Sequence, residues 1–330
     1  MASYLRRSLD VLRLHYREHP VQFWFRLCIV TAVAAVFVTR RNFWTPDTLF
    51  VMLLALFVAF GRARVFLYRF VPFVGLLLVY DSFRGIADNL NHAVHFLPMI
   101  NFDRFVFGGT LPTAWLQQLW WHGQVSWYDF YFYFFYTVHF LAPVLVALLI
   151  WWRRDRLYWP YMWAFIGLSF AGFITYVLFP AAPPWMAAQQ GYIEPIHRIS
   201  SDIWYAMGVT NFSEIYSKLS PNEVAAVPSL HAAYPTLLTL FVAKAFGWRR
   251  VWWLVLYPVS LWVGIVYLGE HYVFDAVLGV LYAGMAYWAS LRYFAWQRSG
   301  GWQRLAHTGA WERGYVAGQR VRQRLTAGNR

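Results

Sequence analysis

Charge is scarce in this chain of 330 residues: Asp, Glu, Lys and Arg make up only 13% of it. A soluble domain carries about 25%, so the shortage argues against a water-soluble globular protein. Acid is the scarcer sign, with 15 Asp and Glu against 28 Lys and Arg, a net charge of +13. Cysteine is nearly absent: Cys28 stands alone in an apolar run, which excludes an intramolecular disulfide framework. The first twenty residues are mixed and basic, without a compact apolar region or a small-residue cleavage site, so no cleavable signal peptide is expected. Low-complexity runs and a convincing internal repeat are missing too.

Apolar and aromatic residues are abundant. The chain is 60% hydrophobic, with 20 Trp, 22 Tyr and 29 Phe, a level that suits rings at membrane interfaces as well as core packing. A helix needs roughly 20 apolar residues to cross the hydrocarbon layer. On that measure eight spans are expected, at 24–40, 47–61, 65–81, 127–152, 157–180, 230–246, 251–269 and 271–295. The second is short, and the third carries Arg69 and Pro72. Lys and Arg divide unequally between alternate ends of these spans, 22 on one side and 6 on the other. That asymmetry predicts both termini in the cytoplasm. It also assigns most of the positive charge to orientation and lipid headgroups rather than to nucleic acid.

The expected fold class is therefore an all-α integral membrane protein. Its domains read as an N-terminal amphipathic segment with two extra spans (1–64), a six-span unit (65–295) and a basic cytoplasmic tail (296–330). Two long connections, 82–126 and 181–229, face the other side, the outer face if the protein sits in the plasma membrane. Connections of that length are usually functional. Within the first, "IADNLNHAVHF" and "TAWLQQLWW" read as helices lying along the interface.

Polar residues cluster at that outer face. "YDSFRGIADNLNH" brings Asp81, Arg84, Asp88 and His92; "FPAAPPW" leads to "VPSLHAAYP" with Ser229 and His231; "YLGEHYVFDAVLG" holds Glu270, His271 and Asp275. His271 and Asp275 are four apart, so on a helix they share one face. A carboxylate beside an imidazole fixes its tautomer and stabilises its charge, as for an oriented base or nucleophile. Taken singly, each feature has a plainer reading. The His/Asp pair also fits a buried structural pair or two metal ligands. Ser229 fits a helix N-cap, Arg84 with Asp88 a surface ion pair, "FPAAPPW" a loop that ends a span, and His95, His122 and His139 residues at the membrane interface. In combination, two histidines at one membrane depth, one with a carboxylate partner and one with a nearby hydroxyl, suit phosphoryl transfer in two steps. A transporter with a His/Asp proton relay is the weaker alternative, because it would need ionisable groups at mid-membrane in several spans.

"PSLH" at 228–231 followed about forty residues later by "HYVFD" at 271–275 resembles the type-2 phosphatidic acid phosphatase superfamily of membrane phosphatases and phosphotransferases. "FPAAPPW", "PSLH" and "YLGEHYVFD" are most similar to its inositol phosphorylceramide synthase branch and bacterial relatives. The resemblance covers 65–295. It implies His271 as the nucleophile that forms a phosphohistidine, Asp275 as its orienting carboxylate and His231 as the general acid. It implies Ser229 and nearby backbone N–H groups as ligands of the phosphate. Asp81, Asp88, Glu270, Tyr267 and Trp185 complete the set as substrate contacts. The implied substrates are membrane lipids, with no metal and no cofactor. The phosphoryl or phospho-headgroup, such as phosphoinositol, passes to an alcohol. In the alternative it passes to water, as in a lipid phosphatase acting on phosphatidic acid or a polyprenyl pyrophosphate. The sequence carries no signal for an oligomeric state.

One position departs from the family pattern. Many members have Arg six residues before the nucleophilic His, where this chain has Ile265. The transferring group still needs cationic stabilisation. Arg84 is the best-placed outer cation for that role, ahead of Arg198 and Lys218.

Overall fold

The structure is a computed structural model that describes residues 63–84, 90–210 and 222–300, with scattered positions between 20 and 58. The spans expected at 24–40 and 47–61 lie mostly outside the described residues, as do the tail beyond Gly300, Asp88 and Lys218. The backbone of Asp81 and Arg84 is described; their side chains are not.

Ten helices of six residues or more organise the rest: α1 (Ala63–Arg84), α2 (Leu97–Val106), α3 (Pro112–Trp120), α4 (Trp127–Arg154), α5 (Tyr158–Leu178), α6 (Pro184–Gln189), α7 (Ile199–Ala206), α8 (Leu230–Phe246), α9 (Leu256–Tyr267) and α10 (Val273–Arg298). Short helical turns over Trp248–Val255 lead into α9. No strand forms among the described residues. The six long elements α1, α4, α5, α8, α9 and α10 match the six spans expected over 65–295 to within a few residues. Three described stretches, Leu141–Leu178, Trp248–Tyr267 and Val273–Arg298, are helical, long and apolar enough to cross a membrane; Leu230–Phe246 is a shorter apolar helix. The 38-residue stretch is a hairpin of α4 and α5, broken where Arg153, Arg154, Asp155 and Arg156 turn the chain.

α8 lies at the centre, packed against α4, α5, α9 and α10. Aromatic rings fill the core toward the basic ends of the spans: Phe66, Phe70 and Phe73 of α1 meet Tyr158, Tyr161 and Phe165 of α5 and Phe241 of α8. Arg69 explains itself there. It pairs with Asp155 at 3.0 Å and lies over the rings of Tyr158 and Trp159, so the charge sits at a helix end, capped by aromatics. Arg154 donates to the carbonyl of Ala245 at 2.8 Å, capping the end of α8.

The two long connections form a layer over the opposite ends. "TAWLQQLWW" is helical as expected, in α3. Of the helix expected over 86–96, residues 86–89 lie outside the described residues, Leu90 is helical, and 91–96 leave the helix. Asn91 accepts from the N–H of Ala93 at 3.0 Å and donates to the carbonyl of Val177 at 2.9 Å, a side-chain alternative to the helical ladder. The helix begins six residues later, with Pro98 in its first turn. His95, Ala181 and Ala225 line up in two isolated parallel bridges, which tie the proline-rich loop to both connections.

Candidate active site

The site is built on the chain from Tyr267 to Asp275. α9 ends at Tyr267, and Gly269 turns with φ +82°. A Cβ there would meet the carbonyl oxygen of His197 at 2.7 Å, so only glycine fits. His271 lies two residues before α10 rather than within it, which corrects the expectation that it shares a helical face with Asp275. The pair still meets, at 3.2 Å between His271 Nδ1 and Asp275 Oδ2. It does so because Asp275, at the third helical position, bends back to accept the N–H of Tyr272 at 2.9 Å through the same oxygen. Asp275 is fully buried and His271 nearly so.

α8 supplies the partner. Ser229 is its N-cap and accepts from the N–H of Ala232 at 3.3 Å, so the N-cap reading of Ser229 holds. The N–H of Ser229 donates to the carbonyl of Asp275 at 3.0 Å, which locks the start of α8 to the start of α10. At the second position of α8, His231 places Nδ1 at 3.1 Å from His271 Nε2. These contacts fix the protons. Asp275 Oδ2 accepts two N–H groups, so His271 carries its proton on Nδ1. Its Nε2 is then an acceptor, and His231 Nδ1 must be the donor. One imidazole thus offers a lone pair and its neighbour a proton, in contact.

α4 frames His231. Tyr136 stacks on its ring at 4.4 Å between centroids, and buried His139 lies against it at 4.2 Å. His139 was grouped at the sequence level with the interface histidines. The structure separates them: His95 stacks on Phe179 and meets the carbonyl of Pro180, and His122 is exposed. Three residues separate Tyr136 from His139, one face of one helix, and nothing in the linear sequence links that face to "PSLH".

The remaining candidates divide. Glu270 is buried and accepts from Arg198 at 3.0 and 3.3 Å and from the Ser200 hydroxyl. Arg198 lies 4.2 Å over the Trp185 ring, and the backbone N–H of Trp185 donates to the carbonyl of Gly269 at 3.2 Å. Arg198, ranked behind Arg84 at the sequence level, is therefore one residue from His271 through its salt bridge. Tyr267 is fully buried and donates its hydroxyl to Asp129 at 2.6 Å, which places it in the packing behind the site. Asp81 and Arg84 stand at the C-terminal end of α1. Ile265, where family members carry Arg, contributes its carbonyl to the N–H groups of Glu270 and His271, each at 3.1 Å. Asp103 and Asp129 escaped the sequence reading, and both are fully buried. Among the described residues, no three His, Cys, Asp or Glu side chains gather in a metal-binding cluster.

A His–His–Asp array with His271 and Asp275 buried and His231 half-buried, on the motifs "PSLH" and "HYVFD" of a helical bundle, defines a membrane enzyme of the phosphohydrolase and phosphotransferase type. Residues 98–289 match the PAP2 superfamily, and the chain belongs to it. It is 29% identical over 241 residues to the phosphoinositol dihydroceramide synthase of Bacteroides thetaiotaomicron, across 69% of this chain and 77% of that protein. It is 27% identical over 158 residues to the inositol phosphorylceramide synthase of Candida albicans, across 44% of this chain and 32% of that protein. No solved structure matches the chain.

Proposed function

We propose that the enzyme is a lipid phosphotransferase that moves a phospho-headgroup, of the phosphoinositol kind, from a glycerolipid donor to the hydroxyl of a ceramide-like acceptor. The observation that carries this reading is the contact between His231 Nδ1 and His271 Nε2, with Asp275 behind it. His271 Nε2 attacks phosphorus, and the bond to the diacylglycerol oxygen breaks. His231 Nδ1 gives that oxygen its proton, leaving the phospho-headgroup joined to His271 Nε2 through a P–N bond, with one ester bond to the headgroup alcohol. Asp275 stabilises the charge that develops on His271. The acceptor hydroxyl then loses its proton to His231 and attacks the same phosphorus, which frees His271. Ser229 and the N–H groups at the start of α8 are the phosphate ligands in this reading, with Arg84 as the cation.

Both relatives are named as synthases of phosphoinositol sphingolipids, which supports headgroup transfer over hydrolysis, the latter differing only in water replacing the acceptor. The domain division at 64 and 295, both termini in the cytoplasm and a site on the outer face of the plasma membrane belong to the same proposal. Purified enzyme given a phosphatidylinositol labelled in the headgroup tests it. A labelled ceramide product that grows with added ceramide is expected, together with a phosphohistidine absent from His271→Ala. Release of free inositol phosphate, unaffected by ceramide, would make the enzyme a hydrolase instead.

A further inference from the structure

The structure assigns Asp103, on α2 in the first outer connection, as a positioning residue for the turn that carries His271. The inference rests on His271 being the nucleophile. A helix leaves its first N–H groups without intrahelical partners, and the preceding side chain usually caps them. In α10 that residue is Tyr272, whose hydroxyl makes no hydrogen bond, and Asp275 Oδ2 is already committed to Tyr272 N–H and His271. The next two N–H groups are satisfied from another helix: Val273 and Phe274 each donate at 2.9 Å to Asp103, one to Oδ2 and the other to Oδ1.

Two bonds from adjacent amides to one carboxylate fix both the height and the rotation of the first turn of α10. Asp275 is on that turn, and it holds His271. Asp103 itself is held. It is completely buried, Met99 and Ile100 of α2 pack in one cluster with Tyr272, and the Phe102 ring meets Phe274 edge to face at 5.0 Å. A carboxylate at the positive end of α10 is also favoured by the helix dipole. Asp103 lies behind the turn and acts only through Val273 and Phe274.

Losing the clamp lets the first turn fray, and a displacement of about 1 Å at reacting atoms is worth on the order of 10²-fold in rate. The test uses full-length enzyme in detergent, with Asp103→Ala, Asp103→Asn, Arg104→Ala and His271→Ala. The readouts are the monodisperse folded fraction, kcat, KM and the rate of phosphohistidine formation. Arg104 is the control on the same helix; its 3.0 Å ion pair with Glu194 is solvent-exposed. Asp103→Ala should lower kcat per folded molecule about 10²-fold, and phosphohistidine formation in step, with KM nearly unchanged. Asp103→Asn keeps one acceptor oxygen and the side chain's shape. It should fall between Asp103→Ala and wild type, and it carries the test if Asp103→Ala fails to fold. Arg104→Ala should match wild type. Full kcat per folded molecule in Asp103→Asn and Asp103→Ala, with His271→Ala inactive, overturns the clamp alone. Turnover surviving in His271→Ala overturns the nucleophile assignment, and the clamp with it.

Discussion

Gly279→Ala should disable the enzyme from a position that touches no reacting atom. Gly279 lies on α10, where that helix crosses the start of α8. A Cβ there would stand 2.3 Å from the carbonyl oxygen of Ser229 and 3.3 Å from Cβ of Ala232. Ordinary contact begins at 3.4 Å, so the two backbones must part by roughly 1 Å. Ser229 cannot yield alone, because its N–H is tied to the carbonyl of Asp275. The separation therefore falls between "PSLH" and "HYVFD", where His231 and His271 now touch. A misplacement of that size costs on the order of 10²-fold in kcat, with about 1–3 kcal/mol of stability lost to overpacking. Gly284, further along the same helix, has nothing within 4 Å of its added Cβ. Gly284→Ala should keep wild-type turnover, and as a better helix former it should be no less stable. Gly264→Ala is intermediate, since its Cβ meets Phe132 at 3.0 Å on the ring and 3.1 Å at Cβ, contacts that a shift of a few tenths of an ångström relieves. Headgroup transfer per folded molecule, measured for all three variants, decides the matter. Equal turnover in Gly279→Ala and Gly284→Ala would mean that the junction of α8 and α10 does not set the site.

Three further outcomes follow from particular contacts. Arg198→Ala leaves Glu270 buried beside Ser200 without its cation, and should destabilise more than the double variant Arg198→Ala with Glu270→Gln. Thermal unfolding of both checks this, and a less stable double variant would refute it. The second concerns pH at Asp103, whose carboxyl burial pushes up from 3.8 to about 6 against the opposing bonds from Val273 and Phe274; the ionisable groups around it are Asp275, Tyr272, Arg104 and Glu194. A raised folded-state pKa means the native state takes up the proton first, so this group's contribution to stability is full below about pH 4 and is lost as pH rises through about 6. Turnover should run the other way, falling as pH drops through about 6, because the protonated acid loses one of its two acceptors; Asp103→Asn should lack both trends, and a wild-type melting profile that rises with pH across this window only when Asp103 is present would contradict the sign. Third, turnover should survive EDTA, since His271 commits Nδ1 to Asp275 and Nε2 to His231; loss restored by added Zn²⁺ or Mg²⁺ would overturn the mechanism.

The six long helices from Ala63 to Arg298 were legible because bilayer thickness sets how long an apolar helix must be, and Arg clusters mark several of their ends. The site motifs were legible because "PSLH" and "HYVFD" pair a histidine with its helper within a few residues. What joins the two motifs was not. His231 and His271 meet because α8 and α10 cross at Gly279, and a glycine in a helix announces no partner. Asp275 reaches His271 by capping its own helix, a geometry that i, i+4 spacing alone does not distinguish from a shared helical face. Arg198 stood in the middle of a long connection, and only the fold brings it to Glu270. The stretch 91–96 misled because its apolar pattern competes with Asn91, whose side chain takes up backbone groups a helix would need.

The scarcity of acid acquires a meaning once those contacts are in place. Among the described residues, four acidic side chains are buried: Asp103, Asp129, Glu270 and Asp275. Two belong to the segment Tyr267–Asp275, and the other two bond to it, Asp129 at Tyr267 and Asp103 at Val273 and Phe274. Neutral groups hold the same segment: Gln117 of α3 donates to the carbonyl of Tyr267 at 2.9 Å, and the N–H of Ile199 to that of Leu268 at 3.2 Å. Spanning helices satisfy their own backbone and have none to spare for a catalytic loop at the membrane surface. The two long connections supply part of what the spans cannot, polar partners for the carbonyls of Tyr267, Leu268 and Gly269 and for the N–H groups of Val273 and Phe274. If His271 is the nucleophile proposed above, substitutions at Asp103, Gln117 or Arg198, which hold this turn, should act on kcat rather than KM. Binding of the acceptor is left to whatever part of the connections does not touch this turn.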